Sequence, residues 1–129
     1  MARIVTTIDR EADLTAHVAS GTVVGSEVLA LLDKYYAGPV TTLVLWDFTD
    51  ASFSEITPEQ VRELARRTKE YGPTRPGGKT ALVFGNLSDY GVGRMFEILS
   101  SLADENVVFQ SFCDMRDARE WLGLEPRSE

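Results

Sequence analysis

The sequence predicts an α/β domain: a single five-stranded mixed sheet with four helices, in the order β-β-α-β-α-β-α-β-α. Three observations carry this reading. The chain opens with two period-two segments joined by a short polar connection. Three helix-period segments then alternate with short apolar runs, the mark of parallel strands joined by right-handed crossovers. Finally, 129 residues, 43% hydrophobic and 26% charged, suit one ordinary domain over 1–129 and exclude disorder or collagen-like structure.

Arg3 to Asp9 alternates, with Ile4, Thr6 and Ile8 on one face. Leu14, Ala16 and Val18 repeat the period of two, with His17 facing the other way, and Gly21 ends this strand. Arg10-Glu11-Ala12-Asp13 has hairpin length, so the two strands pair antiparallel. Thr22 or Ser26 can cap the next helix, whose Val28, Leu29, Leu31, Leu32, Tyr35 and Tyr36 recur at helical spacing until Gly38-Pro39. Val40 to Phe48 contains Leu43-Val44-Leu45-Trp46, apolar on both faces as an interior strand requires. Asp47 closes that strand, and Thr49 to Ile56 reads as a loop. Thr57-Pro58-Glu59-Gln60 starts the second helix with a capping Thr and Pro at the first helical position; Val61, Leu64, Ala65 and Thr68 make its buried stripe to about Tyr71. Lys79 to Phe84 is the next strand. Asn86, Ser88 and Asp89 can cap a third helix carrying Met95, Phe96, Leu99, Leu102 and Ala103. Val107 to Phe112 is the last strand. Asp114 to Gly123 is a short final helix with Ala118, Trp121 and Leu122 inward, and Glu125 to Glu129 is expected to fray.

Charge narrows the function classes. Thirteen Lys and Arg against twenty Asp and Glu leave a net charge of -7, which repels phosphate backbones and anionic bilayers. No nucleic acid and no stable membrane anchor are therefore expected. The single cysteine, Cys113, cannot close an internal disulfide, and with one histidine it cannot complete a four-ligand zinc site. Arg3 to Asp9 does not read as a signal peptide, and the expected compartment is the cytoplasm. Neither cofactor nor catalytic residue is expected.

Several motifs have a chemical and a plain reading. Gly77-Gly78-Lys79-Thr80 ends like a phosphate loop, but Pro73 stands at the first glycine position, and the segment follows a helix and precedes a strand, the reverse of the required context. His17 has no orienting carboxylate beside it and reads as a partly exposed sheet-face histidine. Asp47, Asp50 and Glu55 gather near a strand end, where they can hold a hard cation or simply form a turn. Gly91 and Gly93 weaken their helix, so close packing against a strand or a ligand must be their reason. Arg94 can pair with Asp47 across the strand ends.

Trp46-Asp47-Phe48, the stretch Phe53-Ser54-Glu55-Ile56-Thr57-Pro58-Glu59, and Tyr90-Gly91-Val92-Gly93-Arg94-Met95-Phe96-Glu97, set in this element order, resemble the STAS or SpoIIAA-like domains, the fold of anti-sigma-factor antagonists. The likeness is nearer still to a bacterial STAS-like group. It implies a SpoIIAA-like sheet and a regulatory module that binds a protein partner without catalysis. In the antagonists a phosphorylatable serine in an Asp-Ser-Ser-Gly motif switches docking. Here Thr57 matches that serine and Glu55 the aspartate, while Ile56 and Pro58 depart from the motif. Pro58 makes Thr57 a good helix cap, which explains the threonine without a kinase. The group is also similar to lipid-carrying CRAL-TRIO domains, which implies the alternative, a small apolar ligand held between sheet and helices near Trp46, Phe48, Phe53, Tyr90 and Met95.

The candidate site for either partner comprises Asp47, Phe48, Phe53, Glu55, Thr57, Tyr90 and Arg94, at the C-terminal ends of the parallel strands, with Arg94 or the Tyr90 hydroxyl as its polar anchor. A homodimer is expected as well. Crossovers running one way put their helices on one face, and the other face of strands such as Ala81 to Phe84 needs a cover.

Overall fold

The computed structural model describes residues 2–103 and 106–124. The expected fraying of Glu125 to Glu129 lies outside these residues. Strand β1 (Arg3–Asp9) pairs antiparallel with β2 (Leu14–Thr22). Helix α1 (Gly25–Ala37) leads to β3 (Leu43–Ser52), α2 (Pro58–Tyr71) and a 3-10 turn (Gly72–Thr74) to β4 (Gly78–Phe84), and α3 (Leu87–Ala103) to β5 (Val107–Phe112). Helix α4 (Met115–Trp121) follows. This is the five-stranded mixed sheet with four helices read from the sequence.

The strands lie in chain order, β1-β2-β3-β4-β5, and β2 to β5 are parallel. Three successive right-handed crossovers in one direction must place their helices on one face. Val28 and Leu32 of α1, Leu64 of α2 and Phe96 of α3 accordingly share one cluster with Val44, Trp46, Phe48, Leu82 and Phe84. The second face carries Leu45, Ala81 and Val83, and α4 covers it there with Ala118 and Trp121. The expectation of a homodimer rested on an uncovered second face. The chain's own last helix covers the β4–β5 side of it, while Val5 and Val18 stay exposed on the β1–β2 side.

Several boundaries differ from expectation, β3 opening at Leu43 rather than Val40 and β4 at Gly78 rather than Lys79. β3 does not close at Asp47 but runs on to Ser52, because β2 continues beside it past a bulge and supplies ladder partners from Ser20↔Asp50 to Thr22↔Ser52. The same extension draws Thr22 into the sheet, and Ser26 falls inside the helix. The N-cap of α1 is thus Val24, without a side-chain cap, rather than Thr22 or Ser26. Helix α2 begins as read. Thr57 Oγ1 accepts from the Gln60 amide at 3.2 Å and Gln60 Oε1 accepts from the Thr57 amide at 3.0 Å, a complete capping box. Thr57→Ala should therefore lower stability by about 1 kcal/mol in urea titration, while Thr57→Ser should retain most of it.

Candidate functional site: a cavity between sheet and helices

Strand parity puts Thr15, His17 and Ala19 of β2 on the face beneath α1, α2 and α3. The parallel registers then line side chains into cross-sheet rows. Thr15, Val44, Thr80 and Phe109 form the first; His17, Trp46, Leu82 and Ser111 the second; Phe48 and Phe84 the third. Above these rows lie Val28, Leu32, Tyr35 and Tyr36 of α1, Val61, Leu64 and Thr68 of α2, and Val92, Gly93 and Phe96 of α3. Floor and roof leave a partly open cavity of about 70 Å³ between them, and its wall is overwhelmingly apolar.

One wall is aromatic. Trp46 stacks on Phe48 at 5.6 Å, Phe48 on Phe84 at 5.6 Å, and Phe53 meets both phenyl rings edge-on at 4.7 and 5.3 Å. Gly93 permits this arrangement, since a Cβ there would stand 2.2 Å from the Phe84 ring and 3.0 Å from Ser111 Oγ. Close packing is thus the reason for Gly93, whereas Gly91 has open space around it.

His17 is the main departure from the sequence reading. It is not partly exposed but 0% exposed, because α1 roofs the face on which it sits. Its ring lies 4.2 Å from Trp46 and edge-on to Tyr35 at 5.7 Å. Nδ1 shares a 2.8 Å hydrogen bond with Thr6 Oγ1 of β1. Nε2 is buried and has no hydrogen-bond partner among the described residues. Burial, and secondarily the positive charge of Arg75, pull its pKa down from 6.5 to about 4, so the imidazole is neutral at pH 7.

Arg75 is the second unexpected member. It stands in the Gly/Pro-rich connection between α2 and β4, yet it is 4% exposed and lines the cavity. Nε donates to the Thr41 carbonyl at 2.9 Å, Nη1 to Thr80 Oγ1 at 2.9 Å and Tyr36 Oη at 3.3 Å, and Nη2 to the carbonyls of Thr42 and Lys79 at 2.9 and 3.1 Å. All five donors are used, and every acceptor is neutral. Among the described residues no Asp or Glu lines the cavity, and Arg75 is the one charged side chain of the wall. Beside it, Thr41 bonds Thr15 Oγ1 at 2.9 Å and the Tyr35 hydroxyl at 3.1 Å. The N-terminal end of the parallel strands is thus polar, and the end at Phe48 and Phe84 is apolar.

The residues picked from the sequence divide. Phe48 and Phe53 line the cavity together with Trp46; Tyr90 and Met95 are half-buried and do not. Asp47 Oδ1 accepts from the Thr49 amide at 3.0 Å and hydroxyl at 2.7 Å. Arg94 does not reach Asp47 but pairs with Glu97 one helical turn on, at 2.6 Å, since i,i+3 positions on a helix are neighbours. Asp50, Glu55 and Thr57 are exposed, and among the described residues no three His, Cys, Asp or Glu side chains are placed to hold a metal ion. Asp89, buried at the head of α3, joins Asn86 at 3.1 Å and the Phe53 amide at 3.4 Å, which fixes the aromatic loop. Among the described residues, no helix is long and apolar enough to cross a membrane.

No family model matches the chain, and no curated protein sequence matches it. Among solved structures it is similar to an uncharacterised protein of the DUF3478 family from Shewanella loihica PV-4, described as having a SpoIIAA-like fold. The two share 20% identity, with 95% of each chain covered and a TM-score of 0.54. The fold is therefore SpoIIAA-like, as the resemblance in the sequence implied.

Proposed function

We propose that this chain is a STAS-type binding module whose sheet–helix cavity takes a small apolar ligand. The cavity itself carries the reading. Protein interiors normally close to crystal-like density, and an empty apolar space costs stability in proportion to its volume. Here about 70 Å³ lined by Trp46, Phe48, Phe84 and Phe96 stays open, several times the space that one water needs. Binding rather than turnover is the activity proposed, because His17 contacts Thr6 and aromatic rings instead of a nucleophile or a carboxylate. The fold also supports docking to a protein partner. In that reading Thr57 is a helix cap and not a phosphorylation switch, since its hydroxyl is already engaged with the Gln60 amide.

The test is a native mass spectrum of the purified protein beside a denatured one, with a titration of decanol followed by tryptophan emission. Trp46 stands in the cavity wall and Trp121 on the opposite face, so Trp46 should respond. A retained small mass lost on denaturation, or saturable binding of decanol, is the expected result. A bare protein mass together with an unresponsive Trp46 would remove the ligand-binding reading.

A further inference from the structure

The cavity wall is mostly apolar, and two of its polar side chains, His17 and Arg75, specify more than an apolar ligand. His17 Nε2 is wholly buried, belongs to a side chain that lines the cavity, and has no partner among the described residues. A buried polar atom left alone is costly, so a ligand atom that bonds it gains more than contact area. The hydroxyl of Thr6 sets two cases. If it donates to Nδ1, Nε2 carries the proton and donates; if it accepts from Nδ1–H, Nε2 is an acceptor. A ligand carboxyl group meets both cases, as carboxylate or as acid. So does an alcohol.

Arg75 decides between them. It is buried, its five donors all go to uncharged oxygens, and no described carboxylate forms an ion pair with it. A guanidinium kept out of water without a counter-ion favours an anion in the same low-dielectric space. Among the described residues the cavity wall holds no acid to supply that charge, although the chain as a whole is at -7. We infer that the ligand is an amphipathic acid, its carboxyl group on His17 Nε2 in the field of Arg75 and its apolar body along Trp46, Phe48 and Phe84. This inference rests on the cavity being a ligand site, and it adds the chemical class of the occupant.

The experiment compares decanoate with decanol at pH 7.5 on the intact chain, read by Trp46 emission and calorimetry. Decanoate should bind at least about tenfold tighter, the worth of one charge-assisted hydrogen bond. His17→Phe should collapse that ratio toward one, and His17→Gln, which keeps a hydrogen-bonding group, should restore part of it. Decanol binding as tightly as decanoate would overturn the acid while leaving the apolar site standing. Binding of neither would overturn both. An undiminished ratio in a folded His17→Phe protein would overturn the role of His17.

Discussion

Arg75→Met is expected to cost about 3 kcal/mol of folding stability, because several charge-assisted hydrogen bonds vanish from a buried site at once. The methionine matches the stem in length and apolar character, so the lost packing is small. The Thr42 carbonyl keeps the Lys79 amide, and the Thr41 carbonyl keeps the Tyr35 hydroxyl at 3.3 Å. The Lys79 carbonyl and the Thr80 hydroxyl lose their arginine donors outright. Relief of the desolvated charge offsets part of the loss, which keeps the expected figure well below the sum of five bonds. Against a total stability of about 5–15 kcal/mol for a domain of this size, the effect is large. Urea titration measures it, with an unchanged slope as the sign that the same surface unfolds. Arg75→Lys should fail to rescue it, since one ammonium cannot reach acceptors spread over Thr41, Thr42, Lys79 and Thr80. A loss below about 0.5 kcal/mol, the range of ordinary surface substitutions, would show that Arg75 does not hold the strand ends together.

The second large effect is acid sensitivity traceable to one residue. The pKa of His17 is about 4 in the folded chain and 6.5 in an unfolded one. Below 6.5 the unfolded state binds a proton that the folded state refuses, so stability falls with falling pH. The contribution is complete above about pH 6.5 and is lost as the pH descends through about 4, below which His17 adds nothing further. The gap corresponds to about 3 kcal/mol. Carboxylates titrate near the low end of this window, so the difference between the wild-type curve and that of His17→Phe isolates the histidine. That difference should change by about 3 kcal/mol between pH 7 and pH 4. A flat difference would mean that the imidazole is solvated in the folded protein.

Those two residues are the ones that sequence reasoning placed least well, and for related reasons. Periodicity reports which face of a strand differs from the other, not which is covered. In β2 both faces are packed in part, with Leu14 under one layer and Thr15 and His17 under the other, so reading Leu14, Ala16 and Val18 as one face left His17 partly exposed by default. Arg75 sits in a connection of Gly and Pro, where nothing local marks burial; its partners lie in Thr41 and Thr42, more than thirty residues earlier. Elements whose signals are local were legible. Thr57-Pro58-Glu59-Gln60 specifies a capping box within four residues, and Asp114 with Gly123 brackets the last helix. The aromatic wall was legible in part. Trp46 and Phe48 share a face by simple alternation along β3, while the approach of α3 that brings Gly93 onto Phe84 is a matter of helix packing between distant segments.

The chain order of the strands has a kinetic consequence. Every ladder joins strands that are consecutive in sequence, so each pairing needs only its own connection to close. A doubly wound sheet, whose order reverses at its centre, must instead wait for a late strand to find an early one. Here the rows beneath the cavity, from His17 through Trp46 and Leu82 to Ser111, can be laid down one strand at a time from the amino-terminal end. Loop-closure entropy is met in short instalments, which favours fast folding for a parallel sheet. Helix α4 comes last, and it seals Ala81 and Val83, side chains that the growing sheet leaves open to water until the final turn of chain is in place.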